Sequence, residues 1–297
     1  MHAAIALVLV GLAAGYLARR LRRFPPEASD VLNRFVIDVC VPAMILLTVP
    51  QLQLRWELAT LAILPWVLAG VGYLVAQLAA RTLGLDRGGA AALFLCIALG
   101  NTSFLGFPMC AALLGEASIP LAAVYDQLGS FLLLSLVAPF VIARASGGQA
   151  PSLWGMLRRV VAFPPFIALV VAVVPWPQPR WLTEVFRTFG GALIPIAMFA
   201  VGLRLRLTPP PQKAAFAVGL VVKLGLMPLL AFGLARLLGA PPDVFTVAVV
   251  ESAMPAMITA GALAMAEGLA PELAASLVGW GILLAPVTVP VWAALVQ

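Results

Sequence analysis

The run Gly100-Asn101-Thr102-Ser103-Phe104-Leu105-Gly106-Phe107-Pro108 interrupts a strongly hydrophobic stretch of the chain. A second interruption, Glu251-Ser252-Ala253-Met254-Pro255, falls in another hydrophobic stretch of the C-terminal half. When a helix breaks in lipid, its freed backbone N–H and C=O groups need partners from protein or from a water-filled cavity. Two broken membrane helices in corresponding places are typical of the substrate site of a secondary transporter.

Composition indicates an all-α polytopic membrane protein. Of the 297 residues, 63% are hydrophobic and 10% are charged, whereas a soluble domain carries about 25% charged residues. A spanning helix takes about 20 apolar residues, so about ten spans fit and no room remains for a soluble domain. The net charge of +6 comes from arginines between apolar runs. This placement is a topology signal and argues against nucleic-acid binding.

The residues that metal binding and histidine catalysis need are scarce. Cys40, Cys96 and Cys110 lie in apolar segments without ligand spacing, and the one histidine is His2. We therefore expect no metal and no cofactor apart from Na⁺ or H⁺ as a coupling ion. Nucleotide-binding and metalloprotease motifs are also absent from the sequence, so we expect that the chain is not an enzyme.

Apolar runs between charged or Pro/Gly-rich breaks predict ten spans, arranged as two five-helix repeats. The first repeat covers residues 1–143, a cytoplasmic linker covers 144–157, and the second repeat covers 158–297. The predicted spans are 3–19, 31–49, 58–80, 89–114, 119–143, 158–175, 184–203, 213–238, 243–266 and 273–296.

Prolines support a duplicated unit. Pro42 and Pro195 are 153 residues apart, and Pro108 and Pro255 are 147 residues apart. Because each unit has an odd number of spans, the second copy enters the membrane from the opposite side. The repeats are then inverted, and the site is expected at their interface near the middle of the membrane.

Basic residues predict the orientation. Thirteen of the eighteen Lys and Arg residues follow odd-numbered spans, and the basic side of a membrane protein faces the cytoplasm. Both termini are then outside the cytoplasm, as an even number of spans requires.

The run from residue 100 to 108, followed by Leu114-Gly115-Glu116 and Val124-Tyr125-Asp126, resembles the fourth and fifth helices of the auxin efflux carrier family in its bacterial branch. Ala253-Met254-Pro255 and the segment from Leu283 to Pro290 also fit the C-terminal pattern of that family. The resemblance covers the whole chain.

This resemblance implies a fold shared in outline with bile acid:sodium symporters, in which the broken spans 4 and 9 cross. Spans 1, 2, 6 and 7 would form a scaffold, and spans 3 to 5 and 8 to 10 a transport unit. It also implies a bacterial inner membrane protein. The long cytoplasmic loop of the plant members is absent, which argues against auxin specificity.

The candidate substrate-binding residues are the polar and helix-breaking residues at the two interruptions and in the fifth span. They are Asn101, Thr102, Ser103, Pro108, Asp126, Gln127, Ser252 and Pro255. The positive end of a half-helix attracts an anion, and unwound carbonyls hold a cation. Ion coupling is assigned to Glu251, Asn101 and Asp126, with Asp38 and Lys223 as supporting residues.

Four charges inside the predicted spans leave alternatives open. A charge at the bilayer centre costs about 2.5 to 3.5 kcal/mol, so each should have a partner or face a cavity. Glu251 either couples transport to an ion or stays neutral and caps the broken helix. Asp126 is alternatively a structural partner of Lys223. Asp38 is alternatively a helix-packing residue, and Lys223 alternatively reaches the membrane interface.

These features predict a secondary active transporter of a small organic anion, a carboxylate, which works by alternating access, with an elevator-type movement as one form of it. The alternative is a Na⁺- or H⁺-coupled symporter of the bile acid carrier type. An intramembrane enzyme and a passive channel are the remaining classes. The expected partners are an anionic substrate, the lipid bilayer and a second copy of the chain through the scaffold helices.

Overall fold

The computed structural model describes residues 2–53, 55–149, 151–174, 177–209 and 212–297. These residues form helices and contain no strand. The helices are α1 (His2–Arg20), α2 (Ala28–Gln51), α3 (Leu58–Leu83), α4 (Arg87–Ala98), α5 (Thr102–Leu114), α6 (Glu116–Ser146), α7 (Leu153–Val161), α8 (Pro164–Val173), α9 (Arg180–Arg204), α10 (Lys213–Leu237), α11 (Pro242–Ser252), α12 (Ile258–Ala266) and α13 (Pro271–Val296).

Several of these helices are suited to lipid. In the part of the chain that the structure describes, α2, α3, α6, α9, α10 and α13 are long and apolar enough to cross a membrane. A seventh span results if α7 and α8, which meet at 63°, are taken together, and α4 and α5 are shorter apolar helices. The chain is therefore a multi-pass membrane protein.

The helical segments coincide with the predicted ranges to within five residues at every end. The largest difference lies at the predicted linker. There, α6 continues to Ser146 and α7 begins at Leu153. Gly147 ends α6 with a φ of 74°, a conformation that glycine adopts without steric cost.

The two predicted interruptions are real breaks, and their backbones pair with each other. Between α4 and α5 the N–H of Asn101 donates to the carbonyl of Pro255 at 2.8 Å. Between α11 and α12 the N–H of Met257 donates to the carbonyl of Leu99 at 2.9 Å. Each break thus supplies hydrogen-bond partners for some of the backbone groups that the other break frees. The hydrocarbon core of the bilayer cannot supply such partners.

The helices pack in two groups. In the first, α2 packs on α8 and α9, and α1 lies along α9. In the second, α3 packs on α4, α6, α10 and α11, while α13 packs on α4, α10, α11 and α12. Helix α5 contacts α1 and α9. The breaks therefore lie where the second group faces the first.

Glycines allow the close approach of α1 to α9. A side chain at Gly15 would collide with the carbonyl of Phe199, and one at Gly202 with the carbonyl of Leu12. Gly11 lies against Met198. Small residues at such spacing let membrane helices pack backbone to backbone. The Gly11-x-x-x-Gly15 pattern is thus used for packing within the chain.

Wide π-helical turns occur in four helices that carry predicted site residues, and three of these turns lie at the crossing, whereas the one at Val36–Cys40 in α2 carries the more exposed Asp38. The three at the crossing cover Thr102–Gly106 at the start of α5, Asp126–Ser130 in α6 and Val222–Leu226 in α10. A π turn inserts an extra residue into a helix and is frequent at functional sites. These three turns bring Thr102, Asp126 and Lys223 towards the crossing of the two breaks.

Candidate functional site at the crossing of the broken helices

Asp126 is the best-bonded polar residue at the crossing. Its side chain is buried, and Thr102 donates a hydrogen bond to its Oδ1 atom. The hydroxyl of Ser103 lies 2.7 Å from each carboxylate oxygen, and the amide Nε2 of Gln127 donates to Oδ2 at 2.6 Å. Both oxygens are therefore occupied. The network ties the start of α5 to the π turn of α6.

Glu251 is fully buried at the end of α11, but it is poorly bonded. Its Oε1 atom accepts a bond from the thiol of Cys110 at 3.3 Å. Its Oε2 atom has no hydrogen-bond partner among the described residues. A buried polar atom without a partner is costly, so Oε2 gains from binding a proton, an ion or a ligand group.

Gly106 makes room for the Glu251 carboxylate. A Cβ atom at Gly106 would lie only 2.8 Å from Oε1 and even nearer to Oε2. Cys110 lies four residues further along α5, on the same face of the helix. One face of α5 is thus shaped around the Glu251 side chain.

Lys223 reaches the crossing from the middle of α10. Its side chain is 5% exposed, and its Nζ atom donates to the carbonyl of Ser252 at 3.4 Å. It also lies over Gly100, where an added Cβ would be 3.2 Å from Nζ. The alternative in which Lys223 reaches the membrane interface is therefore wrong. No carboxylate of the described residues lies within salt-bridge distance of it, so a direct pair with Asp126 is wrong as well.

A small cavity separates Lys223 from Glu251. Thr102, Tyr125 and Ser130 also line it, and its volume of about 10 Å³ is enough for about one water molecule. A carboxylate ligand does not fit unless the walls move apart.

Two amide side chains at the crossing keep unused hydrogen-bonding atoms. The Nδ2 atom of Asn101 and the Oε1 atom of Gln127 are buried without a partner in the described part of the chain. One is a donor and the other an acceptor. Neither residue lines the small cavity, whose lining includes Glu251.

The remaining candidate residues do not line the cavity. The Ser252 hydroxyl donates to the carbonyl of Val249 at 2.7 Å, within its own helix, and Pro255 contributes its carbonyl to Asn101. Pro108 is buried inside α5 and does not line the cavity. Asp38 pairs with Arg34 at 3.2 Å and is 41% exposed, so the structure places it outside the buried cluster.

Three residues of the site were not singled out from the sequence. Cys110 was interpreted as ordinary packing, and Gly106 only as a helix breaker. Tyr125 was noted only as part of a motif. The four-residue spacing of Gly106 and Cys110 places them on one face, which was an available signal. Their common neighbour, Glu251, comes from a distant helix that no local pattern reveals.

A crevice leads from one side of the protein towards the breaks. It has a volume of about 350 Å³ and is lined by residues of α2, α9, α12 and α13. Arg204 and Arg206 are among its lining residues, and the guanidinium of Arg204 donates a hydrogen bond to Asp30 at 2.5 Å. Its lining includes Ile258, the first residue of α12 after the break.

This arrangement defines the class as a polytopic membrane transport protein: apolar helices with paired breaks that enclose a buried polar site. The family model described as membrane transport protein matches residues 1–293. The chain belongs to this family, the auxin efflux carrier family.

Its relatives are transporters. The chain is 30% identical over 294 residues to an "Uncharacterized transporter" of Methanothermobacter thermautotrophicus, covering 96% of this chain and 95% of the relative. It is 31% identical over 247 residues to a "Putative malonate transporter" of Rhizobium meliloti, covering 77% of this chain and 74% of the relative. Family and relatives place the chain among transporters and not among enzymes.

Proposed function

We propose that the protein is a secondary active transporter of small carboxylates and that the crossing of the two breaks is its substrate site. The observation that carries this proposal is the buried donor Asn101 Nδ2 at the crossing, which has no partner among the described residues and can donate to a carboxylate. The nearby acceptors Gln127 Oε1 and Glu251 Oε2 are also unpaired there and can bind a proton or a cation. The N-terminal ends of α5 and α12 meet there and favour an anion. Because one relative carries the name "Putative malonate transporter", malonate is the first substrate to test.

The proposed architecture is ten spans in two inverted five-helix repeats. In it, α4 with α5 and α11 with α12 are the broken spans 4 and 9, and α7 with α8 forms span 6. The packing of the helices in two groups supports a scaffold of spans 1, 2, 6 and 7 and a transport unit of spans 3 to 5 and 8 to 10. An elevator-type movement of the unit along the scaffold would carry the crossing between the two sides.

The crevice supports a route to the site from the basic side of the protein. Its arginines would gather anions, and its end at Ile258 lies beside the break. By the distribution of basic residues this side is cytoplasmic, in an inner membrane with both termini outside the cytoplasm. The small cavity at the crossing supports a closed state, from which the unit has to move before a carboxylate enters.

Coupling to H⁺ or Na⁺ is the second part of the proposal. Glu251 is the coupling residue, because a fixed negative charge beside the site would repel an anion unless a proton or cation neutralises it. Its free oxygen is available for either ion. A symporter of the bile acid carrier type remains the alternative when the ion is Na⁺.

Counterflow in liposomes tests the transport proposal. Purified protein is reconstituted with unlabelled malonate inside, and the entry of labelled malonate is followed against liposomes without protein. We expect saturable uptake that the internal malonate accelerates. Linear uptake without counterflow would indicate a channel, and chemical conversion of malonate would indicate an enzyme. A panel of mono- and dicarboxylates, with and without Na⁺ and at several pH values, then identifies the substrate and the ion.

A further inference from the structure

Lys223 is a buried cation that lacks a complete set of partners. Its ammonium has three N–H donors, yet within the described ranges of the chain it makes one long contact, the 3.4 Å bond to the Ser252 carbonyl. It lies directly over the first break because Gly100 has no side chain to block it. A charge in such a place requires a counter-charge nearby.

Two carboxylates are near enough to supply this counter-charge, but only one has a free oxygen. Asp126 is bonded through both oxygens to Thr102, Ser103 and Gln127. Glu251 keeps Oε2 free and lines the same cavity as Lys223. The two unsatisfied charges of the site therefore face each other across a cavity of about 10 Å³.

Among the other ionisable groups around Glu251, Asp126 adds a second negative charge, which the hydrogen bonds from Thr102, Ser103 and Gln127 stabilise. Helix α5 presents Cys110, and α6 presents Tyr125 and Asp126. Helix α3 contributes only the apolar Pro65 and Leu68 to the cavity. The ionisable ends of the neighbouring helices, Arg236 of α10 and Glu272 of α13, are exposed.

We propose that Lys223 binds the substrate carboxylate and that Glu251 takes up a proton in the same step. This assignment rests on the proposed transport of carboxylates. In the empty site, the Glu251 carboxylate balances the Lys223 ammonium. In the loaded site, the substrate carboxylate balances it instead, so Glu251 has to become neutral. One proton from the solvent then forms an O–H bond on Glu251 for each carboxylate that reaches Lys223.

Because the substrate carboxylate replaces Glu251 as the counter-charge of Lys223, each transport step carries one carboxylate group together with one proton. A monocarboxylate is then moved without net charge, and a malonate dianion is moved with one negative charge. Lys223 would thus determine that the site accepts anions, and Glu251 would determine that they move with a proton.

The test measures binding and proton uptake on the purified full-length protein. Malonate and acetate are titrated into wild type, Lys223→Met and Lys223→Arg, and Lys213→Met is the matched control, since Lys213 is exposed at the start of the same helix. We expect Lys223→Met to lose at least about ten-fold in affinity, the value of a bond to a charged group. Lys223→Arg should keep part of the affinity, and Lys213→Met should bind like wild type.

Proton uptake is followed in weak buffer when malonate is added. We expect about one proton per bound malonate in wild type and none in Glu251→Gln, whose affinity should no longer change with pH. If Lys223→Met does not fold, the double variant Lys223→Met/Glu251→Gln removes both charges together and should fold, with the same loss of affinity.

The outcomes separate the two proposals. If wild type binds or exchanges neither malonate nor acetate, the transport of carboxylates is contradicted, and this assignment falls with it. If wild type binds them and Lys223→Met binds equally well, or if Glu251→Gln takes up the same number of protons, only the assignment of Lys223 and Glu251 is overturned.

Discussion

The two buried carboxylates of the site differ in what surrounds them, although they are almost equally buried. Asp126 is 1% exposed and Glu251 is 0% exposed. Three side chains donate hydrogen bonds to Asp126 and occupy both of its oxygens. Glu251 has one thiol donor, and its second oxygen is without a partner in the described residues.

We expect this difference to separate a structural carboxylate, Asp126, from a functional one, Glu251. A carboxylate whose oxygens are all bonded holds its donors in place, and its removal leaves several buried groups unpaired. A carboxylate with a free oxygen can accept a proton, a cation or a ligand without breaking existing bonds. Burial alone does not distinguish the two residues, but their partners do.

The largest expected effect follows from the removal of Asp126. Asp126→Ala leaves the donors of Thr102, Ser103 and Gln127 without their acceptor, and we expect the free energy of unfolding to fall by about 3 kcal/mol or more. The measurement is denaturant or thermal unfolding in detergent. The control is Glu116→Ala, an exposed carboxylate at the start of the same helix, which should change stability by less than about 0.5 kcal/mol.

A stable Asp126→Ala variant that loses only transport would reverse this comparison. It would return Asp126 to the role of a coupling or substrate-binding residue, which the sequence alone predicts for it.

The next effect concerns coupling. Glu251→Gln keeps the size and the hydrogen bonding of the side chain but removes its charge, so transport should continue while its dependence on pH or Na⁺ is lost. The measurement is counterflow in liposomes over a range of pH and Na⁺ concentrations. Glu267→Gln, an exposed change in the other half of the same broken span, should behave like wild type.

Full retention of the ion dependence in Glu251→Gln would show that Glu251 is a neutral cap on the broken helix. If wild-type transport depends on neither pH nor Na⁺, Glu251 is likewise a cap on the broken helix and not a coupling residue.

A smaller effect is expected at Asn101. Its Nδ2 donor is buried without a partner, so Asn101→Ala should cost the fold little and weaken carboxylate binding about ten-fold. Thermal shift with malonate measures both quantities. Gln178→Ala is the control with opposite behaviour, because the Gln178 amide donates to the carbonyl of Leu46 at 2.8 Å and should affect stability without changing affinity. Unchanged affinity in Asn101→Ala would remove this residue from the site.

The smallest effect belongs to Cys110. A thiol is a weak donor, so Cys110→Ala should change the transport rate by about two-fold at most. Cys96→Ala, at another buried cysteine of the same broken span, is the control for the loss of a small apolar side chain. An effect at Cys110 as large as that of Glu251→Gln would mean that the thiol itself belongs to the ion site.

Much of the architecture was predictable because it follows from local chemistry. The helix ends agree with the predicted ranges because apolar length and interruption by Pro, Gly and charge are properties of short stretches. The break at Asn101 and the break before Ile258 were predicted for the same reason. Pro108 is an exception to the expectation that a proline marks the position of a break, because it lies inside α5, after the break.

The partners within the site were not predictable in this way. Asp126 was a candidate for a pair with Lys223, but the π turn at Asp126–Ser130 directs it towards Thr102 and Ser103. Lys223 was as consistent with the membrane interface as with the core. A π turn shifts the register of a helix by one residue, and hydropathy does not record such a shift.

The sequence by itself determined that this protein is a multi-pass helical membrane protein with two broken helices and charges buried near the breaks. Apolar composition, spacing and interruption are enough for that, because lipid permits few backbone arrangements. Only the tertiary structure decided that the breaks pair with each other, that Asp126 is saturated and that Glu251 faces Lys223 across a cavity. The paired breaks join residues more than a hundred positions apart. Thr102 and Ser103 reach Asp126, and Lys223 reaches the cavity beside Glu251, from other helices, so packing brings these groups together.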